Sequence, residues 1–190
     1  MQTFLWHILA DRRIYEKLTA ELTVAEKAGR LSDNIRDSEA REELPYFQAC
    51  LQEAMRLRPA VGLNLTRSVP MPHAEVDGHL LPGGTRVAVN AWVLHRNKAI
   101  FGEDADVFRP ERWILDAAQG GQMRRHMFHF GAGAHLCIGR HLALLEMNKI
   151  LPQLLRRYRL ELVNPEKPLD HYSSFFVAQS GLIVTIHKRE

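Results

Sequence analysis

Phe130-Gly131-Ala132-Gly133-Ala134-His135-Leu136-Cys137-Ile138-Gly139 is the stretch on which the reading of this chain turns. One of only two cysteines closes a glycine-rich loop, and a long amphipathic pattern begins directly behind it. A thiol at that place meets backbone N–H groups and the positive end of a helix dipole, and both favour the thiolate. Such a thiolate can act as a nucleophile, a redox thiol or a metal ligand. Gly131, Gly133 and Gly139 let the backbone turn tightly and approach a flat, bulky group closely. Phe130 adds an aromatic face seven residues before the sulfur.

Several chemistries compete for this loop. His126, His129, His135, Cys137 and His141 crowd one segment, and His/Cys clusters bind zinc. Their spacing matches no common zinc pattern and lacks paired cysteines. A cysteine hydrolase needs a base and a group to orient it, and no such matched set stands out in the chain. A buried structural cysteine is the plainest alternative. An iron porphyrin lying on the loop, with Cys137 as its axial ligand, uses the glycines, the aromatic and the sulfur together.

Composition sets the frame. The chain has 190 residues, 46% apolar and 25% charged, with a formal net charge of +3, as in an ordinary globular chain. Its basic residues form no nucleic-acid-like run. Cys50 and Cys137 give no disulfide framework and suit a reducing compartment. Met1 to Ala10 is apolar but too short to span a bilayer, and no signal peptide, repeat or low-complexity tract is evident.

Periodicity predicts a helix over residues 12–28, with Asp11 as cap, Ile14, Leu18, Leu22 and Ala25 on one face, and Gly29 ending it. A second helix spans 45–57, with Pro45 in its first turn and an apolar stripe of Phe47, Cys50, Leu51 and Ala54. Residues 60–90 alternate around Asp77-Gly78 and Pro82-Gly83-Gly84, which implies three or four short strands, the clearest at 85–90. Residues 91–127 read as irregular, with helical turns at 92–95 and 99–101. A helix follows the cysteine loop to about residue 157, with Leu144, Met147, Leu151, Leu154 and Leu155 inward. Short strands are expected at 158–163, 175–178 and 182–186. The fold class is mainly α with small β-sheets.

Two further segments carry charge in a pattern. Glu53 and Arg56 are three apart and share a helix face, which by itself implies an exposed pair worth about 0.2–0.5 kcal/mol. The second segment is Phe108-Arg109-Pro110-Glu111-Arg112-Trp113.

Together with the cysteine loop, these segments resemble the cytochrome P450 family. Its haem-ligand loop reads F-x-x-G-x-R-x-C-x-G, matched here by Phe130, Gly133, Cys137 and Gly139, with His135 where the family has arginine. Glu53-Ala54-Met55-Arg56 matches the E-x-x-R signature. Pro110 to Trp113 resembles the P-E-R-F segment, with tryptophan for phenylalanine.

The resemblance implies the C-terminal part of that fold over residues 1–190, with haem as cofactor and Cys137 as iron ligand. It implies that Arg112 joins Glu53 and Arg56 in a buried charge triad, which fixes geometry more than it adds stability. It also implies propionate contacts from Arg67, and from His135 as a conditional cation. Phe130 would shield the sulfur. Activity follows as haem-thiolate monooxygenation of a small apolar organic substrate, with electrons from an NADPH-dependent reductase and no nucleic-acid partner. Arg124, Arg125, Arg140 and Lys149 would offer a basic rim to an acidic redox partner. Family members are well over twice this length. The distal helix that handles dioxygen is expected to lie outside this chain, with Gln2 to Leu9 as its last turns. The full-length parent is expected at the endoplasmic reticulum membrane, facing the cytoplasm. Alternatives are a non-catalytic haem-binding product and a haem-thiolate isomerase or dehydratase.

Overall fold

The structure, a computed structural model, describes residues 1–189. Five helices and one strand build the main core. They are α1 (Gln2–Ala10), α2 (Arg12–Lys27), α3 (Asp37–Glu43), α4 (Pro45–Leu57), α8 (Arg140–Arg157) and β5 (Tyr158–Leu162). Between α4 and α8 run β1 (Leu65–Ser68), β2 (His73–Val76), β3 (His79–Pro82), β4 (Arg86–Val89), α5 (Ala91–Leu94), α6 (Lys98–Phe101) and α7 (Ala117–Arg125). The tail adds β6 (Asp170–Ser173), β7 (Val177–Ser180) and β8 (Val184–Lys188). All strand pairs are antiparallel: β1 with β4, β2 with β3, β5 with β8, and β6 with β7.

Local chemistry explains the helix ends. Asp11 accepts hydrogen bonds from the N–H groups of Arg13 (2.9 Å) and Ile14 (3.3 Å) and so caps α2. That helix buries Ile14, Leu18, Leu22 and Ala25 against Phe4 and Ile8 of α1 and Phe47 and Leu51 of α4. It stops at Gly29, whose φ of +68° is the left-handed conformation glycine adopts freely. On α8, Leu151 and Leu155 are buried, while Leu144, Met147 and Leu154 are half-buried. Between β2 and β3, Asp77 and Gly78 both take positive φ (+50° and +74°), the geometry a two-residue hairpin turn requires.

Four expectations need correction. Residues 91–127 hold a full helix, α7, whose polar sequence and paired glycines hid it. Asp116 caps it by accepting from Ala118 N (2.9 Å) and Gln119 N (3.0 Å). A Cβ at Gly120 would stand 3.0 Å from the Trp113 carbonyl, so the small residue allows the close approach. The seven residues of α3 carry no apolar stripe, but Ala40 is buried and the Glu39 carboxylate accepts from Arg36 N (2.9 Å).

In the tail, β6 was not expected, and β7 lies two residues beyond the predicted 175–178. Phe175 and Phe176 fall in the connection, because β6 and β7 are specified by backbone pairing rather than by alternation. The last strand is Val184–Lys188 rather than 182–186, since its register is set by β5, with Tyr158 opposite Lys188.

Candidate functional site

Two pieces of chemistry stand out, and they sit on different elements. The first is a charge cluster on α4. This helix buries Phe47, Cys50, Leu51 and Ala54 in the core, yet Glu53 and Arg56 are also wholly inaccessible at 0% exposure. Arg56 grips Glu53 with two bonds, Nε to Oε2 at 2.9 Å and Nη2 to Oε1 at 2.8 Å. Arg112, from the 3-10 turn Pro110–Trp113, donates Nε to Oε1 at 2.9 Å. The two guanidiniums spend their other hydrogens on carbonyls. Arg56 Nη1 reaches Ala105 O (2.5 Å), and Arg112 Nη1 reaches Phe101 O (2.6 Å). Asp104, at the rim, pairs with Arg112 (3.1 Å) and with Arg109.

Two contributors escaped the sequence reading. The Arg109 backbone N–H donates to Glu53 Oε1, and the Trp113 indole Nε1–H donates to Oε2, both at 2.9 Å. Glu53 thus accepts from two guanidiniums, an indole and a backbone amide. A buried indole N–H needs a partner, so tryptophan in place of phenylalanine was a signal for this contact. With both Glu53 oxygens and every nitrogen of the Arg56 and Arg112 guanidiniums engaged, the triad meets the condition under which buried charge is tolerated.

The second piece is the cysteine loop. Gly131 and Gly133 take φ of +72° and +63°, and residues 133–135 form one 3-10 turn. The Cys137 N–H donates to the Phe130 carbonyl at 2.9 Å, closing the loop on itself. Cys137 is exposed, and α8 begins at Arg140, whose N–H donates to the Cys137 carbonyl (3.2 Å). Cys50, by contrast, is buried in the core and its thiol is pushed well up by burial. Only Cys137 is placed for ligand chemistry.

His135 is exposed in the 3-10 turn, two residues before the sulfur. Arg67 is exposed on β1, and its Nη1 donates to the neighbouring Thr66 carbonyl (2.7 Å). Among the described residues no hydrogen bond or ion pair joins Arg67 to His135. The Phe130 ring packs on His129, with centroids 4.5 Å apart. A cavity of about 350 Å³ beneath the loop is lined by Met55, Met127, His129, Phe130, Leu136 and Leu144 among others. His129 is held neutral: burial first, then His95 and Arg140, pushes it down to about 3.

The four basic residues of the expected rim divide. All four are exposed, but Arg124 is tied to the Trp113 carbonyl (3.1 Å), whereas Arg125, Arg140 and Lys149 carry no such side-chain hydrogen bond among the described residues. Among the described residues no three His, Cys, Asp or Glu side chains converge on a metal-sized site, and no helix is long and apolar enough to cross a membrane.

Comparison with known proteins places the chain. The family model for cytochrome P450 matches residues 1–186. A cytochrome P450 monooxygenase of Aspergillus flavus is 38% identical over all of the chain, which covers 37% of that relative. One from Emericella nidulans is 36% identical, again over the whole chain and 38% of the relative. A pisatin demethylase of Fusarium vanettenii is 41% identical over 85% of the chain and 30% of its own length. The chain belongs to the cytochrome P450 family and spans between three tenths and about two fifths of the length of these relatives.

Haem is the cofactor of that family, and the residues present fit it. The donor is a soft sulfur, exposed at the end of a glycine loop. Gly139 sets no Cβ beside the sulfur; one there would lie 3.9 Å from Cys137 Sγ, in ordinary van der Waals contact. Leu136 and Ile138 of the loop and Leu142 and Leu145 of α8 are exposed, an apolar row that runs on from the cysteine.

Proposed function

We propose that this chain is the haem-binding part of a haem-thiolate monooxygenase, with Cys137 as the iron's thiolate ligand. The observation that carries the reading is the exposed Cys137 on a glycine loop that closes on itself, in a chain of the cytochrome P450 family. When bound, the haem iron supplies the one-electron and dioxygen chemistry that such an enzyme uses to oxygenate an apolar organic substrate. The rest falls to the chain's own residues. Cys137 would hold the iron through its sulfur and lend it thiolate electron density, and the hydrogen bond from Cys137 N–H to the Phe130 carbonyl fixes the cysteine's backbone. Gly131 and Gly133 keep the loop low enough for a flat group to lie on it. Arg67 and His135 would bind the two propionates, the first as a permanent cation and the second as a conditional one. Glu53, Arg56 and Arg112 hold the segment around Val107 and Arg109 against α4 and so support the loop from behind.

Electrons come from NADPH through a reductase that docks on the exposed Arg125, Arg140 and Lys149. A reducing compartment suits the free thiols. One observation favours a second reading. The apolar row Ile138, Leu142 and Leu145 is uncovered, so haem binding and turnover would require another polypeptide segment lying against it.

The test is spectroscopic. Haem-reconstituted protein, reduced under carbon monoxide, should show the strongly red-shifted Soret band of thiolate ligation. Cys137→Ser should abolish that band and Cys50→Ser should keep it. A band unaffected by Cys137→Ser would overturn the assignment.

A further inference from the structure

Among the described residues His95 is the one wholly buried histidine, and none of the three sequence motifs contains it. Its two ring nitrogens face different kinds of group. Nδ1 lies 3.0 Å from the carbonyl of Arg56, which can only accept a hydrogen. Nε2 lies 2.8 Å from the backbone N–H of Phe128, which can only donate one. The neutral tautomer with hydrogen on Nδ1 is the single form that satisfies both. His95 meets Arg56 a second time through its own carbonyl, which accepts Nη1–H at 2.8 Å. The imidazole is thus clamped to the last turn of α4, at the residue that grips Glu53.

Its other end holds the start of the cysteine loop. Phe128, pinned through its N–H, accepts from Gly131 N (3.0 Å) through its carbonyl. Phe130 then accepts from Cys137 N (2.9 Å). Three short links therefore run from the ring to the cysteine. The loop has few other anchors, since Leu136, Cys137 and Ile138 are all exposed.

We propose that His95 is a positioning residue: a tautomer-locked imidazole that transmits the placement of the Glu53–Arg56–Arg112 cluster to the cysteine loop and so sets where Cys137 presents its sulfur. The proposal rests on Cys137 as the functional centre. The charges facing the ring are Arg56 on α4 and Arg96 just after α5; the neutral His129 at the mouth of the loop has its ring centroid 6.1 Å away, and Phe101 of α6 adds only an aromatic edge. Burial outweighs the opposing hydrogen bond to the Arg56 carbonyl and, with the Arg56 and Arg96 charges, pushes its pKa down to about 4. A protonated ring would turn a second N–H against that of Phe128, so the link survives only in the neutral form.

Variants separate the two contacts. In His95→Gln the side-chain oxygen can stand in for Nε2 and accept from Phe128. In His95→Asn the amide nitrogen can stand in for Nδ1 and keep only the Arg56 contact, while His95→Leu keeps neither. Hydrogen exchange by mass spectrometry should show peptides over residues 128–139 exchanging about tenfold faster in Asn and Leu, the loss of one ordinary hydrogen bond. Peptides over α4 should be unchanged, and Gln should stay within about twofold of wild type. The thiolate-ligated fraction of the reduced carbon monoxide complex should follow the same order.

Equal loop exchange in all variants, or loss in Asn and Leu matched by equal loss over α4, would overturn the proposal as mere packing. Should a variant fail to fold, solid-state 15N NMR of the histidine-labelled wild type still decides. A bare Nε2 and protonated Nδ1 at His95 support the link, and the opposite tautomer refutes it. Failure of the ligand reading is distinguishable, because Cys137→Ser would then leave the thiolate band intact whatever the exchange data show.

Discussion

At the scale of single residues, Glu53 carries the largest consequence. It accepts from two guanidiniums, the Arg109 amide and the Trp113 indole, and it is wholly inaccessible. Glu53→Gln removes the negative charge and leaves Arg56 buried without its counterion, beside an Arg112 that keeps only the rim carboxylate of Asp104. Breaking a buried pair in this way costs on the order of 3–5 kcal/mol. Trp113→Phe deletes one neutral donor and should cost about 1 kcal/mol. Denaturant unfolding of both variants checks this order, and a Glu53→Gln protein as stable as Trp113→Phe would show that the cluster is not electrostatically coupled. The motif spacing made Glu53, Arg56, Arg112 and Cys137 legible as candidates. It could not show Trp113 and Arg109 as contributors, because their partner lies more than fifty residues away in the chain.

At the scale of elements, periodicity located the helices that bury a stripe and missed those that do not. The α8 pattern even runs through Pro152, which supplies no N–H to the helix. The helix continues because Leu151, Pro152 and Leu155 are all buried against the core. Helix α1 carries a testable pH response. His7 stacks flat on Phe108 of the loop before the 3-10 turn, at 4.4 Å and 5°, with Trp6 edge-on at 4.9 Å. Burial first, then Arg58 and Arg56, pushes it down from 6.5 to about 4. A folded-state pKa below the unfolded one means that the unfolded chain binds the proton first. The stabilising contribution is complete above pH 6.5 and is lost as pH falls towards 4. His7→Gln should therefore flatten the stability–pH curve in that window by up to about 1.4 kcal/mol per pH unit. An unchanged slope would mean that α1 does not hold His7 neutral.

At the scale of the molecule, the exposed apolar side chains matter most. Scattered ones are normal, but Ile138, Leu142 and Leu145 form a row beside the cysteine, and Phe175 and Phe176 are exposed at the β6–β7 connection. The 190-residue chain expressed by itself is expected to associate, and to give no NADPH-coupled oxygenation with haem and a reductase supplied. Sedimentation and product analysis over a broad substrate panel check this. Coupled product from a stable monomer would refute it. The sequence by itself determined the family, the main amphipathic helices and the hairpin turn at Asp77-Gly78, and it singled out Cys137 as the candidate ligand, because each rests on local spacing or on backbone conformations that few residues tolerate. Only the tertiary structure decided the polar helices α3 and α7, the register of the tail strands, and the link from Arg56 through His95 to Phe128. Those depend on hydrogen bonds between residues far apart in the chain, whose partners folding alone brings within reach.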